Sequence, residues 1–232
     1  MLLAFLGLTI APPSAGQDFP VPFDGLATDM AMNALHSSML NSMLEQNDDE
    51  PATETRAAVE TGYAASAAVS AQAQRQFIAF VRETSGAAGA EAVELEFRKA
   101  SPSQIWAGMV AGDGLRPGDA VDAVAGYWML NWIIANRAHE TDFDTRPILI
   151  QARLALSQNG GFRALTEAQR QELSEVLMMN FLIQQAVYSD AVAKGNEPMQ
   201  AALADAAVAR FRNEAGVDLR AITVTDRGFA SR

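Results

Sequence analysis

The run Ala123-Val124-Ala125-Gly126-Tyr127-Trp128-Met129-Leu130-Asn131-Trp132-Ile133-Ile134-Ala135-Asn136 decides the fold of this chain. It is uncharged throughout and bracketed by Asp122 and Arg137. Tyr127, Trp128, Met129, Leu130, Trp132, Ile133 and Ile134 leave no polar face at helical spacing. A helix that is apolar all round has to be enclosed by other helices. The run is also too short to span a bilayer, which takes roughly 20 apolar residues. The expectation is therefore a buried Trp-rich helix over residues 117–139, at the centre of a multi-helix, all-α bundle. Pro117 should start this helix, with Asp119 in its first turn, where a carboxylate favours the helix dipole.

Working outward, the other periodic segments also read as helices, six to eight in all. Residues 63–84 form one, stopped at Gly86, and residues 87–99 form the next. Ser101-Pro102-Ser103-Gln104 and Thr166-Glu167-Ala168-Gln169 are capping boxes: the hydroxyl accepts from the N3 amide while the Gln side chain reaches back. A helix beginning at Arg146 or Pro147 runs to Asn159-Gly160-Gly161. The Thr166 box opens a long helix carrying Leu173, Val176, Leu177, Asn180, Phe181, Gln184, Val187 and Tyr188 at one-face spacing, stopped by Gly195. Residues 198–215 follow, with Gly216 past the end. Only the tail, residues 217–229, differs. Ile222-Thr223-Val224-Thr225 is β-branched and suits a short strand; with no second strand-rich segment in view, the expected tail is short, extended or β, and packed as a strap on the helices.

The N-terminus sets a different expectation. Residues 1–16 carry no charged side chain; an apolar run, Leu2 to Ala11, is broken by Pro12-Pro13-Ser14-Ala15-Gly16. That is the layout of a cleavable signal peptide, with the cut after Gly16, although the n-region lacks Lys and Arg. The destination is periplasmic or secreted. Residues 17–51 then read as an extended arm, a Met-rich helix and the acidic linker Asn47-Asp48-Asp49-Glu50-Pro51. The helical domain occupies residues 52–232.

Composition excludes several functions. The formal charge of −11 repels phosphate backbones and anionic lipid, so nucleic-acid binding is not expected; with no second apolar run of roughly 20 residues, stable membrane insertion is not expected either. Without cysteine there is no thiol nucleophile and no thiolate metal site. No motif calls for a cofactor.

Candidate sites are few. His139-Glu140-Thr141-Asp142-Phe143-Asp144 is a polar loop between helices. Its His139, Glu140, Asp142 and Asp144 are the available oxygen and imidazole ligands, but they lack the Asp-x-Asp-x-Asp-Gly pattern of a calcium loop. They read more simply as solvated charge, with His139 capping the central helix. The loop from Asp113 to Asp119 is Gly-rich and acidic, which turn chemistry explains. Asn131 needs a partner inside the apolar helix, because an unpaired buried amide costs about 1–3 kcal/mol. Gln184, Asn180 or a backbone group are the candidates. Tyr127, Asn131 and Arg137 would line a polar pocket if that partnership were functional; the structural alternative is a bond that fixes helix register. Glu91, Glu94 and Glu96 read as ordinary helix surface.

The run from Gly114 to Ala123, followed by Tyr127-Trp128 and Asn131-Trp132, resembles a family of exported bacterial proteins, a domain of unknown function. The helix carrying Arg153, the Thr166 box and the Asp218 to Phe229 tail are similar in order and spacing. The resemblance covers about residues 63–229 and leaves Asp48 to Glu50 outside. It implies an all-helical exported domain and supplies no activity or site residue. The functional expectation is a binding or interaction protein of the bacterial envelope, its partner another protein or an envelope component. An envelope-polymer hydrolase using an acidic residue, or a carrier of an apolar ligand, are the alternatives.

Overall fold

The computed structural model describes Ser38, Leu44 and residues 60–232, without the side chain of Glu214. The segments read as a signal peptide, an extended arm and an acidic linker thus lie outside the described residues. Seven helices pack together and end in a short antiparallel hairpin: α1 (Ala67–Lys99), α2 (Pro102–Val110), α3 (Ala120–Asn136), α4 (Arg146–Gln158), α5 (Gly160–Arg163), α6 (Glu167–Ala193), α7 (Glu197–Ala215), a 3-10 turn (Leu219–Ala221), β1 (Ile222–Thr225) and β2 (Gly228–Ser231).

The apolar run is α3, and every residue from Ala120 to Ala135 is buried. It is enclosed by α4, α6, α7 and the 3-10 turn. Trp106 of α2 lies over Gly126, where an added Cβ would come within 3.1 Å of the indole, and meets Phe181 of α6 edge-on at 6.3 Å. Both expected capping boxes form, at Ser101 and Thr166.

Helix α3 starts later than the Pro117 reading requires. Gly118, at φ 86°, turns the chain, and Asp119 is the N-cap, accepting from the Val121 amide at 3.0 Å. The reason lies at a distance. Tyr63 N–H donates to Gly118 O and Ala120 N–H to Thr61 O, so residues 61–63 hold Asp119 extended and outside the helix. At its other end α3 stops at Asn136, and Arg137 takes the left-handed conformation. The amides of Arg137 and Ala138 close back on Ile134 and Ile133, so a Schellman-type turn caps the helix, rather than His139.

Helix α1 is a folded-back pair. Gly86, at φ 80° and ψ 176°, interrupts the helical backbone in a region only glycine occupies easily. The break brings Phe77 and Phe97 to 6.3 Å between ring centres, a contact that a straight helix forbids.

The tail is a hairpin and not a lone strap. β1 finds its partner across Asp226-Arg227, pairing Ile222 with Ser231 and Thr225 with Gly228. Gly228-Phe229-Ala230-Ser231 has little β-branched character, which hid it in the sequence. The hairpin is fastened to the core by side chains. Gln151 of α4 donates to Phe229 O and accepts from Phe229 N–H, both at 2.8 Å. The Trp132 indole donates to Ile222 O at 3.0 Å. Gln171 clamps Ser66 in the same two-sided way, at 2.9 Å each, tying α6 to the start of α1.

Candidate functional site

At the C-terminal end of α3 the chain leaves the core through residues 137–145, and a cleft of about 280 Å³ opens there. Ile133 and Ala138 supply its apolar wall, and Gln185 and Tyr188 come from the last third of α6. His139, Glu140, Thr141, Asp142 and Phe143 come from the loop, and Asp113 from the turn after α2. The depths differ. Asp113, Gln185 and Tyr188 are buried, whereas Glu140, Thr141 and Asp142 stand exposed at the rim. No Lys or Arg lines the cleft.

Each wall is held in place. Thr145 Oγ1–H donates to Asp113 O at 2.7 Å, joining the two loops. His139 Nδ1 and the Tyr188 hydroxyl share a 3.1 Å hydrogen bond, their rings edge-on at 5.9 Å. Phe143 packs edge-on against Trp132 at 5.8 Å, so the loop is anchored on the central helix. Burial raises the Asp113 carboxyl above its ordinary value. Burial also raises the Tyr188 phenol, with Arg137 opposing.

Among the sequence candidates, His139, Glu140 and Asp142 line this cleft and Asp144 does not. Asp144 turns to Arg146, accepting from its guanidinium and its backbone amide, and the guanidinium holds the exposed carboxyl below its usual range. Among the described residues no three His, Asp or Glu side chains come together as a metal set.

Tyr127, Asn131 and Arg137 fall elsewhere. Asn131, fully buried, donates to Tyr127 O at 2.9 Å and accepts from Arg210 Nη1 at 2.8 Å. Its partners are thus a backbone group and an arginine of α7, not Gln184 or Asn180. Tyr127 stacks on Phe211 at 5.9 Å. Arg137 reaches Glu197 and Gln200 at the start of α7. Glu94 and Glu96 pair with Arg98 and Lys99 on the α1 surface.

A second polar cluster went unread in the sequence. Asp122, in the first turn of α3 and fully buried, meets Arg153 of α4 and the Arg116 Nε and backbone amide, the latter two at 3.2 and 3.0 Å. Asp119 accepts from Arg116, Arg153 and Thr61 at 3.1–3.2 Å. Burial, with Asp119 alongside, outweighs the two guanidinium groups and raises the Asp122 carboxyl. With every member partnered, this cluster reads as a bracket joining α3, α4 and the 61–63 segment. The sequence placed Asp113 and Phe143 in two separate candidate loops, explained by turn chemistry and solvated charge, and raised Gln185 and Tyr188 as no site at all. Their spacing in sequence carries no signal, because Tyr188 sits on a stripe that reads as core and Gln185 lies beside it.

The fold and the cleft define a helical domain with an acidic, aromatic-walled depression at the end of its central helix. The chain belongs to the family of unknown function DUF6683, which it matches over residues 21–230. No curated protein and no solved structure matches it. The family match begins well before residue 63 and takes in Asp48 to Glu50, so the relationship reaches further toward the N-terminus than the resemblance suggested.

Proposed function

We propose that this is a binding protein of the bacterial envelope, periplasmic or secreted, and that the cleft at the end of α3 receives part of its partner. The observation that carries the reading is the cleft itself: buried polar groups at its base, aromatic rings on its wall, and a loop pinned by Thr145 and Phe143. Such concave sites with a few placed polar groups are where ligands bind. The charged-poor segment at residues 1–16 supports export. The test is affinity capture of the mature chain from an envelope extract, beside a Phe143→Ala variant. A captured component whose recovery falls with Phe143→Ala supports the reading; equal capture by both removes the cleft from it. An intact Met1 on a cytoplasmic protein would remove the location.

One observation favours the hydrolase alternative. A buried carboxyl raised by its surroundings, facing a second carboxylate across a cleft, is what a general acid needs. If the mature protein cleaved peptidoglycan or a polysaccharide and Asp113→Asn abolished that cleavage, the hydrolase would replace the binding protein. The carrier reading gains nothing from a cleft lined by three carboxylates.

A further inference from the structure

We propose that Gly86 is the hinge of an exchange between two copies of this chain: with α1 straight, residues 60–85 of each copy pack on α6 of the other. Gly86 is the one residue of α1 outside helical φ/ψ, so the fold-back turns on a single position. Helical angles there would make α1 one continuous helix of 33 residues, about 50 Å long. The local sequence suits that form. Ala87-Ala88-Gly89-Ala90-Glu91-Ala92 holds neither proline nor a β-branched residue, and an added Cβ at Gly86 meets nothing within 4 Å.

A straight α1 cannot stay within one molecule. Phe77 and Phe97, 6.3 Å apart between ring centres, would stand about 30 Å apart along it. The first half would leave the core with its stripe of Ala73, Phe77 and Val81, all buried in the closed form. A second copy offers the seat so lost. Tyr63 N–H would donate to Gly118 O, the Gln171 side chain would clamp Ser66, and Ser70 Oγ–H would donate to Glu175 Oε1, each between chains instead of within one. With the same contacts remade, the balance between closed monomer and exchanged dimer lies in the hinge and the concentration. Glycine is at home at φ 80° and ψ 176°, which keeps the chain closed. The cleft draws only on residues from 113 onward, so it is complete in both forms and this inference does not rest on the binding reading.

The whole mature protein is compared with Gly86→Ala and with Gly108→Ala, which makes the same change inside α2 where space is also open. Each is refolded from denaturant and sized by analytical ultracentrifugation. Alanine is strained in the bent hinge and favoured in the straight one, and each dimer relieves two hinges. Gly86→Ala should therefore strengthen dimerisation about a hundredfold. Gly108→Ala should keep the parent's mass distribution. Electron–electron distance measurement then reads the exchange itself. Spin labels go on Arg75→Cys and Arg98→Cys, exposed positions in a chain without cysteine, and the labelled protein is refolded with excess unlabelled chain. The two labels of one chain lie about 35 Å apart along a straight α1, and close together beside the Phe77–Phe97 contact in the closed form. A Gly86→Ala dimer showing the long distance supports the proposal. A Gly86→Ala monomer, a dimer that keeps the short distance, or equal dimerisation by Gly108→Ala overturns it. If Gly86→Ala yields no folded protein, the labelled parent refolded at high concentration decides: the long distance in its dimer supports the exchange, and the short distance at every concentration overturns it.

Discussion

Asp122 shows how a single residue can be both well partnered and costly. It has two guanidinium groups within reach, yet its burial and the neighbouring Asp119 raise its carboxyl. The folded protein therefore holds that proton more tightly than the unfolded chain. The stability so contributed is fully present below the ordinary carboxylate value and is lost as pH rises through the raised folded value. Removing Arg153 deletes one of the two groups that favour the charge. Arg153→Ala should thus destabilise by about 1–3 kcal/mol near neutral pH, where Asp122 is left a poorly compensated anion. The loss should shrink in acid, where the carboxyl is neutral. Thermal melts of both proteins at the two pH values check this; an equal loss at both would mean that the side-chain packing of Arg153 matters and its charge does not. Asn131 makes the complementary case. Its burial in an apolar run announced a partner from sequence alone, but which partner depended on the packing of α7, since Arg210 lies far along the chain. Need is legible locally, whereas the group that meets it is not.

Elements were readable where their signals are local. The Ser101 and Thr166 boxes, the stop at Gly86 and the cap at Gly216 each lie within a few residues of the boundary they set. The start of α3 was misplaced because residues 61–63 hold it extended, and β2 was missed because its strand character comes from pairing and from Gln151. That dependence gives two expectations. Gln151→Ala removes both bonds to Phe229 and should cost about 1–3 kcal/mol, with hydrogen exchange rising first in β1 and β2. Unchanged protection there would show that Trp132 alone holds the hairpin. Gly86 has open space where a side chain would go, so the cost of Gly86→Ala is purely conformational. It should destabilise by about 1–3 kcal/mol through backbone strain, measured by urea unfolding; a neutral result would mean that the fold-back tolerates an ordinary residue. At the centre, Trp128→Ala deletes a ring that is 1 % exposed and should cost about 3–5 kcal/mol, the scale of a large core cavity. A loss under about 1 kcal/mol would show that α3 is not what the bundle packs around.

At the scale of the molecule, the cleft was the least legible feature, for a physical reason. It is assembled from residue 113, residues 133–143 and residues 185–188, and only the fold brings these together. The sequence supplied the polar loop His139 to Asp144 but not the buried base beneath it. The N-terminal segment, residues 1–51, raises the opposite question, since the family match enters it at residue 21 while the sequence sets it apart by an acidic, proline-closed linker. Two of its residues already touch the domain: Ser38 accepts from Asn159 Nδ2 at 2.9 Å, and Leu44 packs against the core. Limited proteolysis with a protease that cuts after Asp and Glu separates the possibilities. Cleavage should come first at Asp48 or Asp49, in an acidic run that reads as exposed chain, since the Glu50–Pro51 bond itself resists such a protease. The remaining domain should keep its cooperative melt, because the helices around α3 complete their own core. The contacts of Ser38 and Leu44 predict that the released N-terminal fragment still elutes with the domain under native conditions. Its clean separation would mean that these contacts are too few to hold it. Unfolding of the domain after the cut would instead make the Met-rich segment a structural part of the core and move the domain boundary back to the family's own start.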